Sequence, residues 1–117
     1  MKFALLIYED AGLESPKGAE MDALLAGHRH MQNTTKDAGV FVAADQLEPP
    51  PTAQCLRVRG GKTLVTDGPF AETKEHLIGF YLVDCETADD AANYARLIPH
   101  AERGCIEIRP VAYHEHV

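Results

Sequence analysis

The order of apolar segments predicts a single α+β domain over residues 1–117. Three observations carry that prediction. Apolar runs of strand length are interleaved with two stretches of helical spacing. A Gly-Gly dipeptide joins two further strand-like runs. The chain of 117 residues has the length for one hydrophobic core and not for two.

The elements follow in order. Phe3 to Tyr8 is continuously apolar and suits a strand buried on both faces. Ser15-Pro16 offers an N-cap with Pro at the first helical position, and Asp37-Ala38-Gly39 ends in a C-terminal glycine. Met21, Leu24, Leu25, His28, Met31 and Thr35 recur between them at helical spacing, which predicts a helix over about 16–38. Val40 to Ala44 is the second strand, and Pro49-Pro50-Pro51 stops regular structure. Leu56 to Arg59 and Thr63 to Thr66 pair as a hairpin through Gly60-Gly61. Asp67-Gly68-Pro69 turns the chain, an irregular or briefly helical stretch follows to His76, and Leu77 to Asp84 is the next strand. Thr87 with Asp90 three residues on starts a helix to about Leu97 in the manner of a capping box. Cys105 to Val111 is the last strand, before a tail.

This order is βαβ–βαβ with a hairpin inserted between the halves, which fits a ferredoxin-like sheet carrying both helices on one face. The first strand is apolar on both faces, however, and Leu77 to Val83 nearly so. The face without helices needs another cover, and a second copy of the same sheet is the simplest one. A homodimer is therefore expected.

Composition excludes several classes of partner. A hydrophobic fraction of 45% beside 25% charged residues is that of a folded chain. A net charge of −7 disfavours nucleic acid, since phosphate binding needs clustered Lys and Arg. The densest basic stretch, Arg57-x-Arg59-Gly-Gly-Lys62, reads as a solvated hairpin tip. No apolar run approaches the ~18 residues of a membrane span. The short apolar start has no cleavage pattern, so a cytoplasmic location is expected. Cys55, Cys85 and Cys105 show no C-x-x-C spacing and are expected as small buried hydrophobes within strands. His114-x-His116 reads as a loose tail; no metal site and no cofactor are expected.

The string Thr66-Asp67-Gly68-Pro69-Phe70-Ala71-Glu72-Thr73-Lys74-Glu75 is the most specific feature. With Gly79-Phe80-Tyr81, the opening Met-Lys-Phe-x-Leu-Leu-Ile-Tyr, Ile98-Pro99 and Glu107-Ile108-Arg109-Pro110, it resembles the DGPF subgroup of the YCII-related family over nearly the whole chain. The resemblance implies a dimeric α+β barrel, in which two sheets pack face to face around a cavity. Some members lie beside genes for alternative sigma factors, and a few wider relatives act on chlorinated aromatic rings. Certain relatives carry a His on the first helix paired with an Asp near the end of the second. Here His28, eleven residues before Gly39, matches that His, while Ile98 stands where the Asp would be.

Each candidate residue has two readings. His28 falls in the middle of the apolar stripe of its helix, as a core histidine or as a general base; His30 falls on the solvated face. Asp67 is either the former of its own turn or a pocket carboxylate and catalytic partner of His28. Pro69 and Phe70 read as scaffold, with Phe70 anchoring the loop among apolar groups. Glu72 sits at a pocket mouth or on a solvated face. Glu107 and Arg109 share one face of the last strand, as an ion pair or as ligand-binding groups in the cavity. With Ile98 in place of the Asp, the orienting group of His28 is expected from Asp67, Glu72 or Glu107, of the same chain or of the partner chain. Two functions stay open: acid–base chemistry at His28 on a small aromatic or carbonyl compound, or a non-catalytic ligand-binding or accessory protein linked to alternative sigma factor regulation.

Overall fold

The computed structural model describes residues 1–70 and 74–114. Strand β1 (Lys2–Asp10) leads to helix α1 (Gly18–Asp37) and strand β2 (Phe41–Gln46). Strands β3 (Gln54–Arg59) and β4 (Lys62–Asp67) form the inserted hairpin. Strand β5 (Glu75–Asp84), helix α2 (Ala88–Ala95) and strand β6 (Gly104–Pro110) complete the second half. Single 3₁₀ turns lie at Pro50–Thr52 and Pro99–Glu102. The main sheet has the order β2-β5-β1-β6 with every neighbouring pair antiparallel, which is the ferredoxin-like arrangement.

Local codes set most boundaries. Helix α1 ends in a Schellman motif: Gly39 N–H reaches Lys36 O, Val40 N–H reaches Thr35 O, and Gly39 adopts φ +73°. Thr87 caps α2 by accepting from Asp90 N–H at 3.1 Å. Gly60 and Gly61 both have positive φ, as a tight two-residue hairpin loop requires. The start of α1 differs from expectation. The N-cap is Lys17, with no side-chain cap, and the helix begins at Gly18 rather than at Pro16. Gly18 takes φ +55°, a bend open to glycine, and this separates Pro16 from the helix. The three prolines do not simply end structure either: Thr52 bonds Pro49 O through both N–H and Oγ1, closing a 3₁₀ turn.

The core lies between the sheet and the helices. Phe3, Leu5 and Ile7 of β1 and Tyr81 and Val83 of β5 point to the helix side, where they meet Met31, Ala91, Ala95 and Ile98. Each large apolar side chain buried there contributes about 1.5–3 kcal/mol. The buried seam of α1 is Leu24, Met31 and Thr35, narrower than the predicted stripe, since Met21 and Leu25 are exposed. Cys85 is buried just beyond β5, whereas Cys105 is exposed. The reason is register: Cys105 lies opposite Tyr8 on the helix-free face, in the row of Glu107 opposite Leu6 and Arg109 opposite Ala4. The hairpin forms a sheet of its own, and Leu56, Val58, Leu64 and Val65 on it are exposed.

Candidate functional site

Four elements bring titratable side chains together on the helix side of the sheet. His28 comes from α1, one turn beyond Leu24 and one before Met31. Tyr81 comes from β5, on the face it shares with Val83. His100 comes from the Pro99–Glu102 turn. Glu9 comes from the end of β1, two residues past Ile7 and so on the same face.

They form a continuous chain. His28 Nδ1 lies 2.7 Å from Tyr81 Oη, and His28 Nε2 lies 2.7 Å from His100 Nδ1. His100 Nε2 lies 3.3 Å from Glu9 Oε2, which also accepts from Arg103 Nε at 3.3 Å. Arg103 then reaches Glu20 Oε1 at 2.6 Å and the carbonyl of Glu14 at 2.8 Å. Among the described residues no buried side-chain nitrogen or oxygen lacks a partner.

Burial decides the protonation of the chain. Desolvation, and then the charge His100 would carry, lower the pKa of His28 to about 4. His100 is lowered by desolvation, against a raising pull from Glu9 and with a lowering push from Arg103. Burial pushes the Tyr81 phenol up, and a hydrogen bond with Gln32 works against it. Both imidazoles are therefore neutral near pH 7, and the bonds fix their tautomers. The Glu9 carboxylate can only accept, so His100 Nε2 donates and its Nδ1 accepts. His28 Nε2 then donates, and His28 Nδ1 accepts from the Tyr81 hydroxyl. Every donor points toward Glu9.

A close contact of helix and turn makes this possible. A Cβ on Gly27 would lie 2.8 Å from Pro99 Cγ, so glycine at this position lets the Pro99–Glu102 turn sit against α1 and deliver His100.

Two clefts flank the ends of β1, which at about 3.3 Å per residue are far apart. The larger, about 650 Å³, is lined by Met1, Val40, Asp84, Cys85, Tyr94 and Leu97 among others. The smaller, about 310 Å³, has walls from Glu9 to Leu13, the prolines Pro50 and Pro51, Pro69, and His76 with Ile78 of β5. Glu9 thus belongs to both the hydrogen-bonded chain and the smaller cleft.

The residues singled out from sequence are dispersed. His28 is in the chain, but both its ring nitrogens are held by Tyr81 and His100 rather than by a carboxylate. Asp67 is exposed and accepts from Gln54 Nε2 at 3.3 Å across the hairpin, whose ladder is continued by Gly68 N–H to Ala53 O. Glu107 and Arg109 are exposed on the sheet face opposite His28, which rules out Glu107 as its partner within one chain. Glu72 lies outside the described residues, as does His116. Phe70 anchors nothing apolar: it is 76% exposed, with the Arg57 guanidinium 5.4 Å from its ring centre. Among the described residues no group of His, Cys, Asp and Glu has the arrangement of a metal site.

Tyr81, His100, Glu9 and Arg103 were not legible as site residues. The one available signal was His100 itself, two positions beyond Ile98, where the resemblance implies an Asp.

The fold and the buried chain define a ferredoxin-like α+β domain organised around a neutral histidine pair. The model of the YCII-related domain matches residues 1–114, and the chain belongs to that family. An uncharacterised protein of Rhizobium meliloti (strain 1021) is 38% identical over 118 aligned positions, covering 98% of this chain and 95% of its own length. Among the described residues, no helix is long and apolar enough to cross a membrane.

Proposed function

We propose that this YCII-related protein, of the DGPF subgroup, is a cytoplasmic homodimer that transfers protons on a small aromatic or carbonyl compound through His28. The observation that carries the reading is the pairing of His28 with His100 and Tyr81 at 2.7 Å on either side, in surroundings that keep the ring neutral. A neutral, oriented imidazole suits a general base, and such catalysis is typically worth about 10²–10⁴ in rate. The second histidine and Glu9 supply the orientation that a single carboxylate supplies in the His–Asp pair. Support for the homodimer comes from the helix-free face, where Ala4, Leu6, Phe80 and Leu82 stand in adjoining rows.

The test is a thermal-shift screen of small ring compounds and carbonyl compounds, followed by turnover assays on the hits. Loss of turnover in His28→Asn with binding retained is the expected result. A stable variant with unchanged turnover sinks the reading.

One observation favours a second reading, a non-catalytic ligand-binding or accessory protein for an alternative sigma factor system. Tyr81 is 3% exposed and occupies His28 Nδ1, so a ligand reaches that nitrogen only by displacing it. Hits that bind and are never turned over would support this second reading.

A further inference from the structure

We infer that Glu9, where the hydrogen-bonded chain opens into the smaller cleft, is the group that exchanges a proton with the ligand, and that the ligand is a small uncharged ring compound bearing an acidic O–H. The inference rests on the proton-transfer reading above, keeping its chemistry but making Glu9 rather than His28 the group that takes the proton, with His28 a positioning residue.

Access is the first argument. Both nitrogens of His28 are engaged, and the hydroxyl on one side belongs to a buried tyrosine. Of Tyr81, His28, His100 and Glu9, Glu9 alone lines either cleft. A ligand in the smaller cleft therefore meets Glu9, the residue on which the chain ends.

Chemistry is the second. The ligand O–H bond breaks with its electron pair staying on the ligand oxygen, and the proton forms a new O–H bond on the Glu9 carboxylate. His100 Nε2–H continues to donate to Glu9 Oε2. The proton moves within the site, so the net charge beside Arg103 is unchanged by the step. Return of the proton to another atom of the ligand restores the carboxylate and completes an isomerisation without any imidazolium in the buried region. His100, His28 and Tyr81 are then positioning residues: they hold the carboxylate in one rotamer through bonds that all run toward it.

Size and charge give the ligand class. At about 310 Å³ the cleft is at the small end of ligand pockets, which suits a single ring. Leu13, Pro51, Pro69 and Ile78 offer apolar walls, and the Asp10 carboxylate disfavours an anion, the Glu9 charge being paired with Arg103.

Phenol and benzoate, equal in ring and opposite in charge, test this by NMR on the whole chain. Phenol is expected to shift Leu13, Ile78 and His76 saturably, and to shift the ring nitrogens of His100 and His28, which line neither cleft. Benzoate is expected to bind at least tenfold more weakly, and Glu9→Gln to abolish the imidazole response. Phenol shifts centred on Tyr94 and Leu97, silent imidazoles, or equal binding of benzoate overturn the assignment. If the imidazoles are silent while His28→Asn still abolishes turnover of a screened compound, the Glu9 assignment fails alone. If phenol binding depends on Glu9 while His28→Asn turns over normally, the proton-transfer reading fails and the ligand site stands.

Discussion

His28 Nε2 and His100 Nδ1 stand 2.7 Å apart, and that bond joins α1 to the turn that leads into β6. It also replaces the expected carboxylate partner with an imidazole, whose own second nitrogen faces Glu9. A His–carboxylate pair stabilises a charge on the ring next to it. A His–His–carboxylate chain instead keeps both buried rings neutral and leaves the negative charge at the far end, against Arg103.

This arrangement predicts a pH dependence of stability. The pKa of His28 in the folded chain, about 4, lies below its ordinary 6.5, so the unfolded chain binds more protons between those values. Its contribution is fully present above about pH 6.5 and is lost progressively as the pH falls toward 4. His100 is shifted in the same direction and adds to the slope. Melting temperatures measured from pH 7.5 to 4.5 are expected to fall, and His28→Asn to flatten the curve. An unchanged slope in the variant would show that other groups set it.

The same chain marks the limit of what the sequence contained. Gly39, the Gly60-Gly61 loop and the Thr87 cap are local codes, each written within a few residues, and all three act in the structure as their residue types dictate. The ferredoxin-like order followed from them and from the periodicity of the apolar runs. The site joins residues 9, 28, 81 and 100, whose proximity depends on sheet register and on how a 3₁₀ turn seats against a helix. Tyr81 in a run of apolar residues and Glu9 at a strand end carry no local mark of such a role. Asp67 and Glu107 attracted notice because their immediate neighbours are distinctive, and the fold sends both elsewhere.

Gly27→Ala tests the seating of that turn. Alanine favours a helix over glycine by about 1 kcal/mol. Here its methyl would lie 2.8 Å from Pro99 Cγ, and the ring of Pro99 has to retreat. The overpacking is expected to outweigh the propensity gain, for a net loss of about 1–2 kcal/mol by urea unfolding. His100 moves with Pro99, so the NMR titration of His28 should shift upward from about 4 toward its ordinary 6.5. A more stable variant with an unmoved titration would mean that the contact positions nothing.

Gly104→Ala probes the strand that carries Glu9. A Cβ there would collide with the carbonyl oxygen of Tyr8, a backbone atom on the paired strand that cannot rotate away. The β1–β6 ladder must open where Glu9 pairs with Gly104. A loss of about 3 kcal/mol is expected from chemical denaturation. A loss below about 1 kcal/mol would indicate that this end of the sheet adjusts freely.

The homodimer is the last expectation, and register makes it specific. On β1 and β5 the side chains alternate, so Phe3, Leu5, Tyr81 and Val83 face the helices while Ala4, Leu6, Phe80 and Leu82 face away from them. Phe80 stands opposite Leu6 in the middle of the sheet, flanked by Asp45 of β2. In the single chain this apolar row is only half-buried, and two copies face to face would remove the rest of it from water. Light scattering at micromolar concentration is therefore expected to give the mass of two chains. Phe80→Glu puts a charge in the middle of that face and leaves the helix-side core untouched, so a folded monomer is the expected product. Circular dichroism and the pH slope of His28 should survive in it, because the hydrogen-bonded chain lies on the other side of the sheet. A wild-type monomer mass, or a Phe80→Glu variant that remains dimeric, would place any interface elsewhere, with the exposed apolar hairpin of β3 and β4 as the next surface to test.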